Sequence, residues 1–481
     1  MDKSNTNLTT NKERFIKISK VVTKLFNSEL PMAILSFFIF FSWFFELEIV
    51  AFSLVIVYAS ISLVFVDDTL PLMPAIILTT FTVADGINIV KYINFAYAAV
   101  VIVAALLFHM IYYRKKIRFG KMFLPQSLVA LALLLGGLGT ISIEYYLGTL
   151  ALNLLLGIGI LLMYFLFYLY RGSNEGQDTS KYFSKMLSWA GIIVSLQILT
   201  YIFRSNQSIT FLSSEFMDLG WGIDNNAATL LLITAPLTLY LATRKDSLRP
   251  SLYVLSSSIQ YLAIILTFSR GGILFGFISF IICTIFLFKN SARKKEVLVT
   301  GCIILLIGAL VVVFKAPSIA ELIRGFTFQG TGDNGRFDLY KEAWDSFISH
   351  PIFGVGLGYQ GSNYEIRSIS FYFFHSTLFQ IIACTGLFGF LAYSYLYFRR
   401  YQIVLKNLSK TSFALFSLIA MLGFEAYSMI DTGTFVPFPS MMLIMFLTMI
   451  LEENLPSTGP LNDLTVDYFI SKLKKEPVDS L

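Results

Sequence analysis

The stretch "SLYVLSSSIQYLAIILTFSRGGILFGFISFIICTIFLF", residues 251–288, decides the fold class. It contains 38 residues and a single formal charge, Arg270, with no carboxylate. One membrane-spanning helix needs about 20 apolar residues, so this run is too long for one helix and suits two. We therefore predict two transmembrane helices joined by a tight turn at "TFSRGG".

Similar apolar runs, separated by short polar segments, extend along most of the chain. The protein has 481 residues, of which 56% are hydrophobic and 14% charged, with a mean hydropathy of +0.71. These values exclude an ordinary soluble globular protein, and the alternating pattern of outer-membrane barrels is absent. The sequence predicts an all-α, polytopic transmembrane bundle of about 12–14 spans. Candidate spans lie near residues 31–45, 49–66, 70–90, 93–113, 123–142, 146–170, 183–203, 221–242, 251–268, 271–288, 297–314, 373–398, 411–430 and 434–451.

The basic residues predict the orientation. With the N-terminus inside, 28 of the 36 Lys and Arg residues fall in cytoplasmic tails and loops, as the positive-inside rule requires. The net charge of +6 then needs no nucleic-acid partner. We predict a multi-pass protein of the plasma (inner) membrane with both termini cytoplasmic. Its segments are a basic N-terminal tail (1–29), N-terminal spans (30–203), a catalytic region (204–451) that includes an outer loop (315–372), and a C-terminal tail (452–481).

This topology gathers unusual polar residues on the outer face, which makes that face the candidate active side. Most of them stand where a span begins or ends, and others lie in the long outer loop. They are Arg204, Asp224, Asn226, Ser269, Arg270, Arg324, Arg336 and His375.

"SRGG" is the predicted turn between spans nine and ten. Two glycines can supply unusual backbone angles, and Ser269 can cap the outgoing helix. Arg270 would then stand at a helix N-terminus, where backbone N–H groups and the helix dipole favour an anion such as phosphate. The alternative is an arginine that extends to the membrane interface or pairs with an acid from another span.

"WGIDNNAAT", residues 221–229, places an acid and two amides at the start of span eight. Asp224 or Asn225 can cap the helix. Asn226 lies within the first turn, where it can instead form a hydrogen bond with a sugar or phosphate.

"GRFDLYKEAWDSFISHPIFGVGLGYQ", residues 335–360, predicts an amphipathic helix at the membrane surface followed by a glycine-rich turn. "GVGLG" lacks a preceding strand, which excludes a dinucleotide-binding fold. Aromatic residues at spacings of three and four form one apolar stripe, which packing explains: Phe337, Tyr340, Trp344 and Phe347.

His375 begins span twelve. Because histidine gains and loses a proton near neutral pH, it can serve as a general base at an outer helix start, although a structural role is the simpler alternative. No zinc or nucleotide-binding motif appears, and "VDD" at Asp67 and Asp68 is a poor metal-binding pattern on the predicted inner side. We predict neither metal nor cofactor. The three cysteines, Cys283, Cys302 and Cys384, lie in apolar spans and suggest core residues.

These motifs together resemble the O-antigen ligase and O-antigen polymerase family of polytopic membrane glycosyltransferases. The resemblance covers roughly residues 204–400 and rests on an ordered series. Two departures, Ser376 after His375 where an asparagine is common and Asn225 in place of a proline, bear on acceptor contacts. The series is "DNNAA" before a span with Pro236, "TFSRGG", "GRFDLYKEAW", "HPIFGVGLGY" and "HSTLFQIIACTGLFGF".

The resemblance implies metal-independent glycosyl transfer on the extracytoplasmic face. The donor would be an undecaprenyl-diphosphate-linked glycan with its tail among membrane lipid, and the acceptor a sugar hydroxyl of a surface glycan. Arg270 and Arg336 would stabilise the departing diphosphate, and His375 would hold or deprotonate the acceptor. The expected substrate contacts are Arg204, Asp224, Asn226, Ser269 and Arg324.

Three alternatives remain open from the sequence. A polymerase and a ligase share these motifs and differ in acceptor; polymerisation of an O-antigen or capsule-like polysaccharide is our first choice. A lipid-linked glycan transporter would need charged residues along a midplane path, whereas here the spans are almost free of charge apart from Asp85 and Glu425. A peptidoglycan glycosyltransferase would share the architecture without this motif series.

Overall fold

The chain forms a helical membrane bundle, as seen in a computed structural model. The structure describes residues 3–84, 96–115, 117–138, 153–171, 178–205, 217–317, 320, 335–357, 374–431, 433–435, 438–453, 455 and 464–465. Every predicted span contains a helix within these residues, which confirms the all-α, polytopic prediction. Six described helices are long and apolar enough to cross a membrane, and a bent pair makes a seventh. Several other apolar helices are shorter.

The N-terminal half contains helices of uneven length. Short 3₁₀ turns, Leu70–Leu72 and Thr80–Thr82, flank α4, and π-helical segments, Leu154–Gly159 and Phe165–Leu169, flank α7. The helices are α1 (Lys3–Phe26), α2 (Leu30–Phe44), α3 (Glu48–Phe65), α4 (Met73–Thr79), α5 (Ala96–Tyr113), α6 (Phe123–Leu135), α7 (Ile160–Tyr164) and α8 (Thr179–Ser205).

The C-terminal half contains longer and more regular helices. A two-residue strand, β1 (Arg118–Phe119), pairs antiparallel with β2 (Leu464–Thr465). The helices are α9 (Asp224–Thr243), α10 (Pro250–Leu266), α11 (Arg270–Asn290), α12 (Lys294–Phe314), α13 (Arg336–Ser349), α14 (Thr377–Asn407), α15 (Ser412–Ser428) and α16 (Phe438–Glu453).

Helix α9 is the centre of the bundle. Its apolar window is 94% buried, and it packs against α8, α10, α11 and α15. Buried polar side chains join these helices: Gln260 of α10 accepts a hydrogen bond from Thr234 at 2.8 Å and donates one to Thr238 at 3.0 Å. Since buried amides are stable only when they are hydrogen-bonded, these bonds fix α10 against α9.

Helix α12 lies at the opposite extreme, on the lipid-facing periphery. Its apolar window is only 6% buried. Cys302 of α12 is exposed, whereas Cys283 and Cys384 are buried. The prediction of a core position is therefore wrong for Cys302, because a helix in lipid can be apolar on every face without being packed inside the protein.

The predicted N-terminal tail is helical in the described residues. Residues 12–26 and α2 are bent by 65° at the short break that precedes Leu30. Phe15 stacks on Phe65 of α3 with ring centroids 5.4 Å apart, and the Ser19 hydroxyl donates to the Phe65 carbonyl at 2.6 Å. These contacts attach α1 to the bundle; its side of the membrane stays a prediction.

Loops predicted to face the cytoplasm meet at one end of the bundle, which we call the basic end. Several of their charges are paired with one another. Asp67 and Asp68 of "VDD" are each held by a cation, so they are engaged in ion pairs and not grouped for a metal. The pairs that define the basic end are Lys115–Asp67 (3.1 Å), Arg171–Asp68 (2.9 Å), Lys181–Asp246 (2.5 Å) and Arg244–Asp178 (2.7 Å).

Candidate functional site

The "SRGG" turn lies at the other end of the bundle, between α10 and α11. Ser269 caps α11, because its hydroxyl accepts a hydrogen bond from the Gly272 amide at 3.3 Å. This capping confirms the sequence prediction. Arg270 is the first residue of α11 and is exposed.

The glycines of this turn have a different role from the predicted one. The unusual backbone angle belongs to Phe268, with a φ of 59°. Gly271 and Gly272 are helical, and a Cβ on them would lie 2.6 Å from the Tyr427 ring and 2.7 Å from the Ala228 side chain. Glycine is therefore needed here for close packing of α11 on α15 and α9, and the prediction that it supplies turn angles is wrong.

Tyr427 joins three elements at this end. Its hydroxyl lies 2.7 Å from the Ser269 hydroxyl, 2.8 Å from Asn225 Oδ1 and 3.5 Å from Asp431 Oδ2. It thereby links α11, α9 and the turn after α15. Tyr427 is itself buried. A hydroxyl in this position fixes the polar groups around it, because buried polar groups must be paired.

The start of α9 supplies amide and carboxylate groups to the same place. Asn226 Oδ1 accepts a hydrogen bond from the Ile223 amide at 2.9 Å. Asn226 is therefore the side chain that caps the N-terminus of α9, and neither Asp224 nor Asn225 caps it. The capping prediction for those two residues is wrong. Asp224 lies close enough to Asp431 for their charges to interact. Asn226 as a substrate contact stays a prediction.

His375 lies beside Asp431. Their Nδ1 and Oδ1 atoms lie 3.6 Å apart, and the Thr377 amide donates to the Asp431 carbonyl at 3.1 Å. His375 has a φ of 48° and a side chain that is 36% exposed. A non-glycine residue in this left-handed region costs of order 1–3 kcal/mol, so surrounding contacts must hold it there.

Helix α13 provides Arg336 and Tyr340. Arg336 Nη1 donates to the Ile430 carbonyl at 2.9 Å, next to Asp431. Tyr340 stacks on Phe379 of α14, with centroids 4.6 Å apart, and donates to the His375 carbonyl at 3.2 Å. Burial raises the pKa of the Tyr340 hydroxyl, while Arg336 opposes the shift and Asp431 adds to it, so this hydroxyl stays protonated as a donor.

The predicted aromatic stripe of α13 is divided in the structure. Tyr340 packs on α14, but Phe337 and Trp344 are exposed. The buried residues of α13 are instead Ala343 and Ser346. Packing therefore explains only part of the stripe, and its remaining rings suit a membrane interface.

The glycine-rich turn that follows α13 docks on a break in α14. The Val355 and Gly356 amides donate to the carbonyls of Ala383 and Cys384 at 2.8 and 2.9 Å. Gly386, with a φ of 62°, interrupts α14 at this point. These backbone contacts explain the glycine-rich turn as a packing feature, and no bound nucleotide is needed to explain it.

We call the cluster of Asn225, Ser269, Arg336, His375, Tyr427 and Asp431 the polar end. Arg204 has different contacts: it donates to the Phe44 carbonyl at 2.9 Å and lies 3.9 Å above the Phe44 ring. Arg324 lies outside the described residues. Tyr427 and Tyr340 are absent from the predicted site. Asp431 stands near the last outer turn of the predicted topology, where the sequence suggests either completion of the site or simple turn formation, and turn formation is the first choice.

Residues 252–394 match the family model described as O-antigen ligase. This match covers 143 of the 481 residues, and that part of the chain is similar to the O-antigen ligase family. A comparison with curated proteins found no match. The matched region contains Ser269, Arg270, Arg336 and His375, whereas Asn225, Tyr427 and Asp431 lie outside it.

The similarity to the O-antigen ligase model indicates the broad class of activity. It supports a membrane enzyme that carries out glycosyl transfer of the O-antigen ligase or polymerase type, with a lipid-linked glycan and an acceptor as substrates. The many apolar helices fit a multi-pass inner-membrane protein.

Proposed function

We propose that the polar end transfers a glycan from undecaprenyl diphosphate to a sugar hydroxyl on the extracytoplasmic face, without a metal ion. The observation that supports this most strongly is the position of His375 between Asp431 and Tyr340, with Arg336 anchored beside Asp431. A base, an orienting carboxylate and a cation are the groups that such a displacement needs.

His375 would activate the acceptor. With Nδ1 directed to Asp431, the Nε2 atom is the one that would accept the proton of the sugar hydroxyl. The Asp431 carboxylate would stabilise the imidazolium that forms. The hydrogen bond from Tyr340 to the His375 carbonyl would hold the residue in place before the acceptor arrives, which favours a reactive orientation.

Arg336 and Arg270 would stabilise the leaving group. The acceptor oxygen forms a bond with the anomeric carbon as the bond from that carbon to the diphosphate oxygen breaks. The diphosphate departs with the electron pair, and the proton goes to His375. Negative charge thus gathers on the diphosphate, where guanidinium groups and the N-terminus of α11 provide compensating positive charge. Attack opposite the leaving group would invert the anomeric centre.

The contacts of Glu425 argue against transport without covalent chemistry. Glu425, an isolated intramembrane charge in the sequence, forms a buried ion pair with Arg400 at 2.6 Å. Its charge is therefore neutralised by the protein and does not line a polar path. Asp85 lies outside the described residues.

The decisive experiment is incubation of the purified chain with a lipid-linked repeat unit. A ladder of chain lengths indicates a polymerase, and one shifted product on a separate acceptor indicates a ligase. We expect either product to persist when divalent cations are chelated. If glycan and carrier stay joined under all acceptor conditions, covalent transfer is wrong and transport is favoured.

A labelling experiment tests which face holds the polar end. In a variant whose native cysteines are replaced, Asp345→Cys on the exposed side of α13 should react with an impermeant reagent added to intact cells. Lys410→Cys, in the loop between α14 and α15, should react only after permeabilisation. The reverse pattern would place the polar end on the cytoplasmic face.

A further inference from the structure

A groove opens between α8 and α10 at the basic end, far from the polar end. Its volume is about 620 Å³, within the roughly 300–1,000 Å³ typical of ligand sites. None of the residues predicted for the active site lines it. We call it the basic groove; its walls include Lys185, Trp189 and Ile192 of α8, and Arg249, Leu252 and Leu255 at the start of α10.

The groove changes from charged to apolar along its length. Lysine residues line the start of α8, and Ile192 and Leu196 line it further along the same face. From Lys181 to Leu196 the wall rises about 22 Å at 1.5 Å per residue. One leaflet of a hydrocarbon core is only about 15 Å thick. The groove therefore extends from the level of lipid headgroups into the acyl-chain region.

The mouth of the groove carries more positive than negative charge. The lining cations are Lys181, Lys185, Arg244 and Arg249, and the lining acids are Glu29 and Asp246.

Most of these cations already have protein partners. Lys181 and Arg244 bind Asp246 at 2.5 and 2.8 Å, and Lys185 pairs with Glu29. Hydrogen bonding from Arg244 holds the pKa of the Asp246 carboxyl well below its usual range, so these pairs persist. Arg249 differs: it is exposed, and its guanidinium has no ion pair or hydrogen bond within the residues that the structure describes.

Trp189 marks the interface within the groove. Its indole Nε1 donates to Glu29 Oε1 at 3.2 Å while its ring lies on the groove wall. Tryptophan with one polar contact and one apolar face is typical of the membrane–water boundary. The charged mouth therefore lies at headgroup level.

We propose that the basic groove binds an anionic phospholipid, with its phosphate at Arg249 and one acyl chain between α8 and α10. The excess positive charge favours a lipid whose headgroup is negative over a zwitterionic one, which brings its own cation. Both walls pack on α9, whose other end contributes Asn225 to the polar end. A lipid bound only by the folded chain stabilises that fold by mass action.

Native mass spectrometry and thermal unfolding of the purified full chain in detergent test this binding. Phosphatidylglycerol should bind and raise the unfolding midpoint, and phosphatidylcholine should do so more weakly. Arg249→Gln should weaken phosphatidylglycerol binding about fivefold, as expected for one lost basic contact. Lys410→Gln, an exposed basic residue outside the groove, is the matched control and should leave the affinity unchanged.

A second variant tests the acyl-chain part. Leu255 is 44% exposed, so Leu255→Asn should fold normally and still weaken phosphatidylglycerol binding. Equal affinity for the two lipids, or equal loss in Arg249→Gln and Lys410→Gln, overturns the proposal. Stabilisation by glycerol phosphate equal to that by phosphatidylglycerol also overturns it, because the apolar wall would then have no part. None of these readouts depends on glycosyl transfer.

Discussion

The charged side chains at the two ends of this bundle are paired in different ways. At the basic end, Arg171 and Asp68 form an ion pair at 2.9 Å with side chains that are 7% and 1% exposed. At the polar end, His375 and Asp431 are 3.6 Å apart, and Arg336 is anchored on a carbonyl. Left-handed backbones occur at both ends, at Phe268 and His375 of the polar end and at Arg114 of the basic end. The difference between the ends therefore lies in charge pairing: the basic end holds a close, buried ion pair, and the polar end holds a looser contact between two ionisable groups.

This contrast predicts that mutations at the two ends have separable effects. Substitutions at the polar end should remove activity from a folded protein. Substitutions of paired charges at the basic end should lower stability without changing the chemistry.

The largest expected effect is on activity in His375→Ala. Loss of a general base should slow glycosyl transfer by about 10²–10⁴-fold, measured as product formed per purified protein from a lipid-linked repeat unit. His350→Ala is the matched control, since His350 Nδ1 contacts only its neighbour Ser349 among the hydrogen bonds of the described residues. Full activity in His375→Ala would show that His375 is not the general base. The two ends would then not differ in their effect on activity.

The next effect is on stability at the basic end. Arg171→Ala leaves Asp68 buried without its cation, so the free energy of unfolding should fall by about 3–5 kcal/mol in detergent. Lys245→Ala, an exposed change at the same end, should stay within about 0.5 kcal/mol of the wild type. Transfer per folded Arg171→Ala molecule should be retained. If activity fell and stability did not, the basic end would have a direct part in transfer.

A smaller effect tests close packing at the polar end. Gly271→Ala should destabilise the protein by about 1–3 kcal/mol, because its Cβ would lie 2.6 Å from the Tyr427 ring. Gly301→Ala on α12 has no heavy atom within 4 Å of the added Cβ and should be nearly neutral. Thermal unfolding of the two variants measures the difference. Equal stability would mean that α11 and α15 can separate freely.

The smallest effect concerns Arg204, which the sequence predicts as a substrate contact. Its contacts with Phe44 indicate a structural role, so Arg204→Ala should cost about 0.5–1 kcal/mol in stability and leave transfer kinetics unchanged. A raised KM for the lipid-linked donor with normal stability would instead support the prediction that Arg204 contacts the substrate.

The elements of this protein could be predicted well because their signals are local. Apolar runs of membrane length become helices, since every backbone polar group in lipid must be satisfied within its own segment. The cap at Ser269 follows the same logic, because its partner is three residues away. Residues outside the described ranges, including Arg324, keep only their sequence predictions.

The tertiary structure decided which distant groups meet. Tyr427 contacts Asn225, which is 202 residues earlier in the chain, and no sequence spacing encodes that pairing. The role of Gly271 likewise depends on a ring in another helix, and the partner of Glu425 is an arginine in the preceding span. Hydrophobicity and capping act within one helix and are legible in the sequence. Close approach and charge pairing depend on how helices pack, and only the folded bundle determines them.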